Sequence, residues 1–157
     1  MYQHNYFIQL KSAIKEFIQN HLPSVTVYLE DLAAIPTFPP QGVVCLQSAC
    51  DTTTLGEEGE GRLEVALNIW VYLPQIDGAE GDSAITDLGL RVGDALLWGV
   101  VNDSALAMMI RRINHLRSTY GKNEEAGSSH REYLHYCLLE LEVEMNRNRL
   151  SRALNAP

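Results

Sequence analysis

Arg62–Leu73, RLEVALNIWVYL, is the stretch whose reading decides the fold. Leu63, Val65, Leu67, Ile69, Val71 and Leu73 alternate with Glu64, Ala66, Asn68, Trp70 and Tyr72. A period of two held this long predicts a strand with one strongly apolar face. Gly61 and Pro74 are expected to close its two ends. Such a strand needs neighbours on both edges and an apolar layer over its face.

The sequence before it supplies both. From Tyr6 to Leu22, the residues Phe7, Leu10, Ile14, Phe17 and Ile18 recur at helical spacing, and Pro23 is expected to stop the helix. Val25–Glu30 is short, β-branched and alternating, which predicts a strand. DLAAIPTFPP then holds three of the six prolines and predicts an extended connection. Gly42–Ala49 predicts a second strand. The polar, glycine-punctuated CDTTTLGEEGEG leads from it into Arg62–Leu73, as the tip of a hairpin.

Beyond Pro74 the pattern changes period. QIDGAEGD predicts a loop with Asp82 or Ser83 as N-cap, and Ile85, Leu88, Val92, Ala95, Leu96 and Trp98 form a helical stripe. Gly89 and Gly93 share a side of this helix, at about 1 kcal/mol each against alanine if exposed. They imply close packing on the sheet or on a neighbouring subunit. Gly99 is expected to end the helix. Residues 104–120 fit either a helix capped by Ser104 or a helical turn running into a strand near Arg111–Leu116. GKNEEAGSS predicts a loop. Arg131–Met145 alternates again, with Tyr133, His135, Cys137, Leu139, Leu141, Val143 and Met145 on one face. The order predicts one α+β domain over residues 1–146: a mainly antiparallel sheet of about four to five strands with two or three helices packed on it. Residues 147–157 form a polar, basic tail.

Charge and composition narrow the function. The net charge of −8 argues against affinity built on neutralising phosphates. No run of about eighteen apolar residues predicts a membrane span, and the N-terminus does not read as a signal peptide. Cys45, Cys50 and Cys137 are too few and too irregular for a disulfide framework, which favours a reducing compartment.

Catalytic patterns are weak throughout. GEEGEG carries Glu57, Glu58 and Glu60 where a phosphate loop needs a lysine. His135 and Cys137 share a face that is otherwise apolar, the setting of a buried histidine and thiol rather than a ligand pair. No nucleophile turn is present. No catalytic residue, metal or cofactor is therefore expected. Glu140, Glu142 and Glu144 form the sharpest charge feature: three carboxylates on one strand face, about 7 Å apart. A solvated face, an acidic lining and acid–base or Mg²⁺ chemistry all fit that spacing. Arg111, Arg112, His115 and Arg117 form the one basic patch, read as a solvated or interface stripe. Trp70, Tyr72, Tyr133 and Tyr136 read as sheet-face packing or a subunit seam.

The sequence of elements, an amphipathic helix, VTVYLED, a proline-rich connection, the GVVCLQSAC/RLEVALNIWVYLP hairpin, AITDLGLRVGDALLW and YCLLELEVEM, resembles one known group. It is similar to the tail terminator and tail-completion proteins of tailed bacteriophages, including the lambda-like minor tail protein U and the Mu-like gene product 37 group. The likeness spans residues 5–146 and rests on topology, since those families have no fixed motif. It implies a non-enzymatic virion protein, assembled in the host cytoplasm into a ring of about six subunits by cyclic closure. Such a ring sits at the head-proximal end of the tail, caps the tube and offers the head-joining surface. Its partners would be its own copies and the tail tube protein, with the tail sheath and a head-completion or neck protein beside them. No membrane would be involved, and DNA would pass through without specific binding. Laid onto this chain, Asp51, Glu57, Glu58, Glu60, Trp70 and Tyr72 become tube or subunit contacts, and Glu140, Glu142 and Glu144 become channel lining. Two rival readings stand beside it: a neck protein of the same particle, and a small α/β ligand-binding domain or enzyme using Glu140, Glu142 and His135.

Overall fold

The computed structural model describes residues 2–29, 43–55, 62–124 and 132–146. Their order is α1 (Tyr2–His21), β1 (Thr26–Tyr28), β2 (Val43–Leu55), β3 (Arg62–Asp77), α2 (Gly78–Asn102), α3 (Ser104–Met109), β4 (Ile110–Glu124) and β5 (Glu132–Asn146). The strands form a sheet ordered β1-β2-β3-β5-β4. β1 joins β2 in parallel, and every other pairing is antiparallel. The chain is thus α+β with a mainly antiparallel sheet.

β3 lies at the centre, between β2 and β5. Its predicted apolar row is the row that becomes buried: Val65, Leu67, Ile69, Val71 and Leu73. Val44 and Leu46 of β2 and Cys137, Leu139, Leu141, Val143 and Met145 of β5 extend that buried surface sideways. Leu10, Ile14, Phe17 and Ile18 of α1, Ile85, Leu88, Val92 and Leu96 of α2, and Leu106 of α3 close over it. All three helices lie on this one side of the sheet.

Several boundaries move for physical reasons. β3 does not stop at Pro74 but runs to Asp77, with a register shift against β5 between Leu73 and Ile76. A bulge is where a strand tolerates a residue without an N–H. β2 runs past Ala49 to Leu55 and re-pairs with β3 after an irregularity between Ser48 and Thr53. α2 starts at Gly78, ahead of the expected cap at Asp82 or Ser83, and continues through Gly99 to Asn102. Gly99 serves packing instead of termination, because a Cβ there would collide with the Phe17 ring of α1.

The ambiguous segment follows the second reading, a short helix and then a strand, but the strand is longer than expected, running from Ile110 to Glu124 through the anticipated loop start. Asp103, not Ser104, caps α3, accepting from Leu106 N at 3.0 Å. The proline-rich connection, the hairpin tip at 56–61 and the tail at 147–157 lie outside the described residues.

The sheet has two unlike edges. β1 ends one side, and the Gln19 amide of α1 closes it. Gln19 Nε2 donates to Val25 O at 2.6 Å, and Val27 N donates to Gln19 Oε1 at 3.2 Å. β4 ends the other side. Among the described residues it pairs only with β5.

Candidate interaction surface

The side of the sheet away from the helices is covered by no element among the described residues. Its side chains are the alternate row of each strand, and registration sorts them into two halves. In one half Trp70 of β3 lies beside Tyr72, with ring centroids 6.0 Å apart and planes 7° from parallel. Tyr136 of β5 leans on Trp70 at 5.8 Å and 55°. Gly121 of β4 leaves the room in which the Tyr136 ring sits, for a Cβ there would strike its hydroxyl end. The result is an aromatic patch across two neighbouring strands.

The other half is charged. Glu140, Glu142 and Glu144 of β5 stand opposite Arg117, His115 and Arg112 of β4 in register. Two features that were separate in the sequence thus form one ladder. The shift between Ile113 and His115 lets the uneven spacing 112, 115, 117 match the even spacing 144, 142, 140.

The three carboxylates are not equivalent, contrary to the expectation of a uniform acidic lining. Glu142 is exposed and Glu140 half-buried, whereas the Glu144 side chain is only 2% exposed. Arg112 Nε donates to Glu144 Oε2 at 2.8 Å, Asn114 Nδ2 reaches the same oxygen at 3.4 Å, and Arg111 Nη1 lies 3.5 Å from Oε1. The Arg112 hydrogen bond holds the Glu144 carboxyl below the usual glutamate range, against the opposing push of burial, with Asn114 and the arginine charges assisting. Glu144 is thus a structural anchor of β4 on β5. Of the three expected lining residues, only Glu140 and Glu142 are left with solvent-accessible side chains.

The other expected contacts divide. Trp70 and Tyr72 sit on the open face, half-buried. Asp51 belongs to the irregular part of β2. Glu57, Glu58 and Glu60 lie outside the described residues.

On the helix side, sequence reasoning missed a polar cluster under the start of α2. His135 is fully buried, and its Nδ1 lies 3.3 Å from Asp82 Oδ1. Lys122 Nζ, from the register partner of His135 on β4, lies 3.6 Å from Asp82 Oδ2. Gly81 rests directly on the His135 ring, leaving no space there for a side chain. The cluster fastens α2 to β4 and β5. The only hint in the sequence is a histidine at an apolar position.

Nearby, Cys137 and Tyr120 face each other beneath Gly89. A Cβ at Gly89 would come 2.7 Å from Cys137 Sγ, which explains the glycine. Burial pushes the Cys137 thiol up to about 11 and raises the Tyr120 hydroxyl as well. A nucleophile needs the reverse shift, so this pair is packing rather than reactive chemistry. Among the described residues no set of three or more His, Cys, Asp or Glu side chains is placed to hold a metal ion. No described helix is long and apolar enough to cross a membrane. No protein-family model matches the chain, and no curated protein matches it closely enough to count as a relative.

Proposed function

We propose that this chain is a structural subunit of a tailed-phage particle, assembling as a ring of about six copies through cyclic closure. The ring caps the tail tube, ends its polymerisation and presents the surface to which the head joins. The observation that carries this reading is the face of the sheet that no described element covers, where Tyr136 leans on the stacked Trp70 and Tyr72 beside a charge ladder. An aromatic patch with a polar, charged border has the make-up of a protein–protein seam. The inert Cys137 and the enclosed His135 favour assembly over catalysis. In the ring, Trp70 and Tyr72 form the subunit seam, while Glu142 and the half-buried Glu140 face the channel, where their negative charge keeps DNA from sticking.

The test mixes purified protein with growing tail tubes while light scattering follows its own mass. Tube growth should halt at a length set by the time of addition, with rings seen at the tube ends. The double variant Trp70→Ala, Tyr72→Ala should stay folded and lose the rings, and with them the cap. Tubes that keep lengthening in the presence of the parent protein would sink the proposal.

A further inference from the structure

Among the described residues no strand lies beside the outer edge of β4, and that edge and the outer flank of α2 make a single slot. Gly93 of α2 faces Leu116 of β4, where a Cβ would sit 3.6 Å from Leu116 Cδ2. At about 100° per residue, the buried Ile85, Gly89, Val92 and Leu96 lie roughly 40–100° to one side of Gly93. Leu97, Leu90 and Val101 lie roughly 40–80° to the other side, beyond β4. These three are 45, 55 and 77% exposed. α1 packs on the opposite flank of α2, where Phe17 lies against Gly99, roughly 160–180° around the helix from these three. An apolar shelf therefore overhangs the position that one more strand beside β4 would occupy.

β4 itself specifies that strand. From Leu116 to Glu124 its pairing with β5 is unbroken, a straight run of about 30 Å. Side chains stand perpendicular to a sheet, so both neighbours of a strand meet the same two rows. On the helix side β4 presents half-buried Ile113, Leu116 and Tyr120, and on the open side Arg112, His115 and Arg117. β5 answers those rows with Leu139, Leu141 and Val143 on one face and Glu140, Glu142 and Glu144 on the other. A second copy of β4 does not suit the slot, because the basic residues would meet their own kind.

We propose that the β4 edge is a strand-addition site for an extended polypeptide segment that alternates apolar and acidic residues. The apolar row lies under Leu90, Leu97 and Val101, the acidic row lies against Arg112, His115 and Arg117, and main-chain hydrogen bonds run along β4. The site does not depend on ring formation.

The test uses a labelled synthetic peptide with the sequence of residues 138–146, LLELEVEMN, and a second peptide with its three glutamates replaced by lysine. Fluorescence anisotropy with the intact chain should give saturable binding of the first. The second should bind at least about tenfold more weakly, a difference of one strong charge contact. Arg117→Glu should weaken the glutamate peptide about tenfold and favour the lysine one, and Leu97→Asp should weaken both. Both positions are exposed, and circular dichroism checks that each variant remains folded. Amide exchange should slow along β4 when the peptide is present. Equal affinity for the two peptides, no binding of either, or protection confined to strands other than β4 would overturn the proposal.

Discussion

The two edges of this sheet have opposite fates, and the difference shows how a chain keeps one surface shut and leaves another for use. β1 is a three-residue strand, and the amide of Gln19 takes the carbonyl of Val25 and the N–H of Val27. Backbone groups that would invite another strand are used up from within. β4 is a fifteen-residue strand with no such cover among the described residues. Bulges and arginines at its start deter casual pairing, but Leu116–Glu124 is regular and lies beside an apolar shelf. One edge is sealed by a side chain, and the other is selective by its charge.

The largest effect should come from opening the sealed edge. Gln19→Ala strands a carbonyl and an N–H in a partly buried setting, and should lower stability by about 2 kcal/mol in urea unfolding. A loss below about 0.5 kcal/mol would mean that water replaces the amide readily, leaving β1 no better closed than β4.

Next comes the anchor that holds the open edge in place. Glu144→Gln weakens the grip of β5 on Arg112 and should lose about 1–2 kcal/mol at neutral pH. The carboxyl of Glu144 is held below its ordinary range in the folded chain. Its contribution is therefore present above the unfolded glutamate value, about 4.3, and fades as the pH falls through the lower folded value. Parent and variant should converge in acid. A gap that persists at about pH 2 would place the effect elsewhere.

The smallest effect sits behind the open edge, where Tyr120 of β4 meets Cys137. The folded thiol is pushed up to about 11, so its contribution is present at neutral pH and is lost as the pH rises from about 9 toward that value. In a background with Cys45→Ser and Cys50→Ser, Tm should fall more steeply over this range for the parent thiol than for Cys137→Ala. The excess is up to about 1 kcal/mol near pH 9.5. Identical slopes would show that the thiol reaches solvent in the folded state.

Legibility followed the range of the interactions. Period two in Arg62–Leu73 and 135–145 named the buried faces correctly, because alternation is a property of one strand. The α1 stripe and the packing role of Gly89 were readable for the same reason. Pro74 and Gly99 misled as stop signals, since a bulge absorbs the first and the Phe17 ring occupies the space beside the second. Residues 104–120 were ambiguous because Leu106, Ile110, Ile113 and Leu116 satisfy helical spacing, and pairing with β5 draws the latter part into a strand. The candidate surface was half visible. Trp70 and Tyr72 shared a face by count, but nothing local joined the glutamates to the basic patch.

The sequence by itself determined the apolar rows of the long strands and of α1, that the fold mixes helices with a mainly antiparallel sheet, and that the chain is acidic. These follow from periodicity and composition, which are local or additive. Only the tertiary structure decided that β5 inserts between β3 and β4, since strand order depends on long-range pairing. That insertion makes β4 an edge among the described strands, sets Glu140, Glu142 and Glu144 against Arg117, His115 and Arg112, buries Glu144 among arginines, and leaves Leu90, Leu97 and Val101 exposed beside that edge.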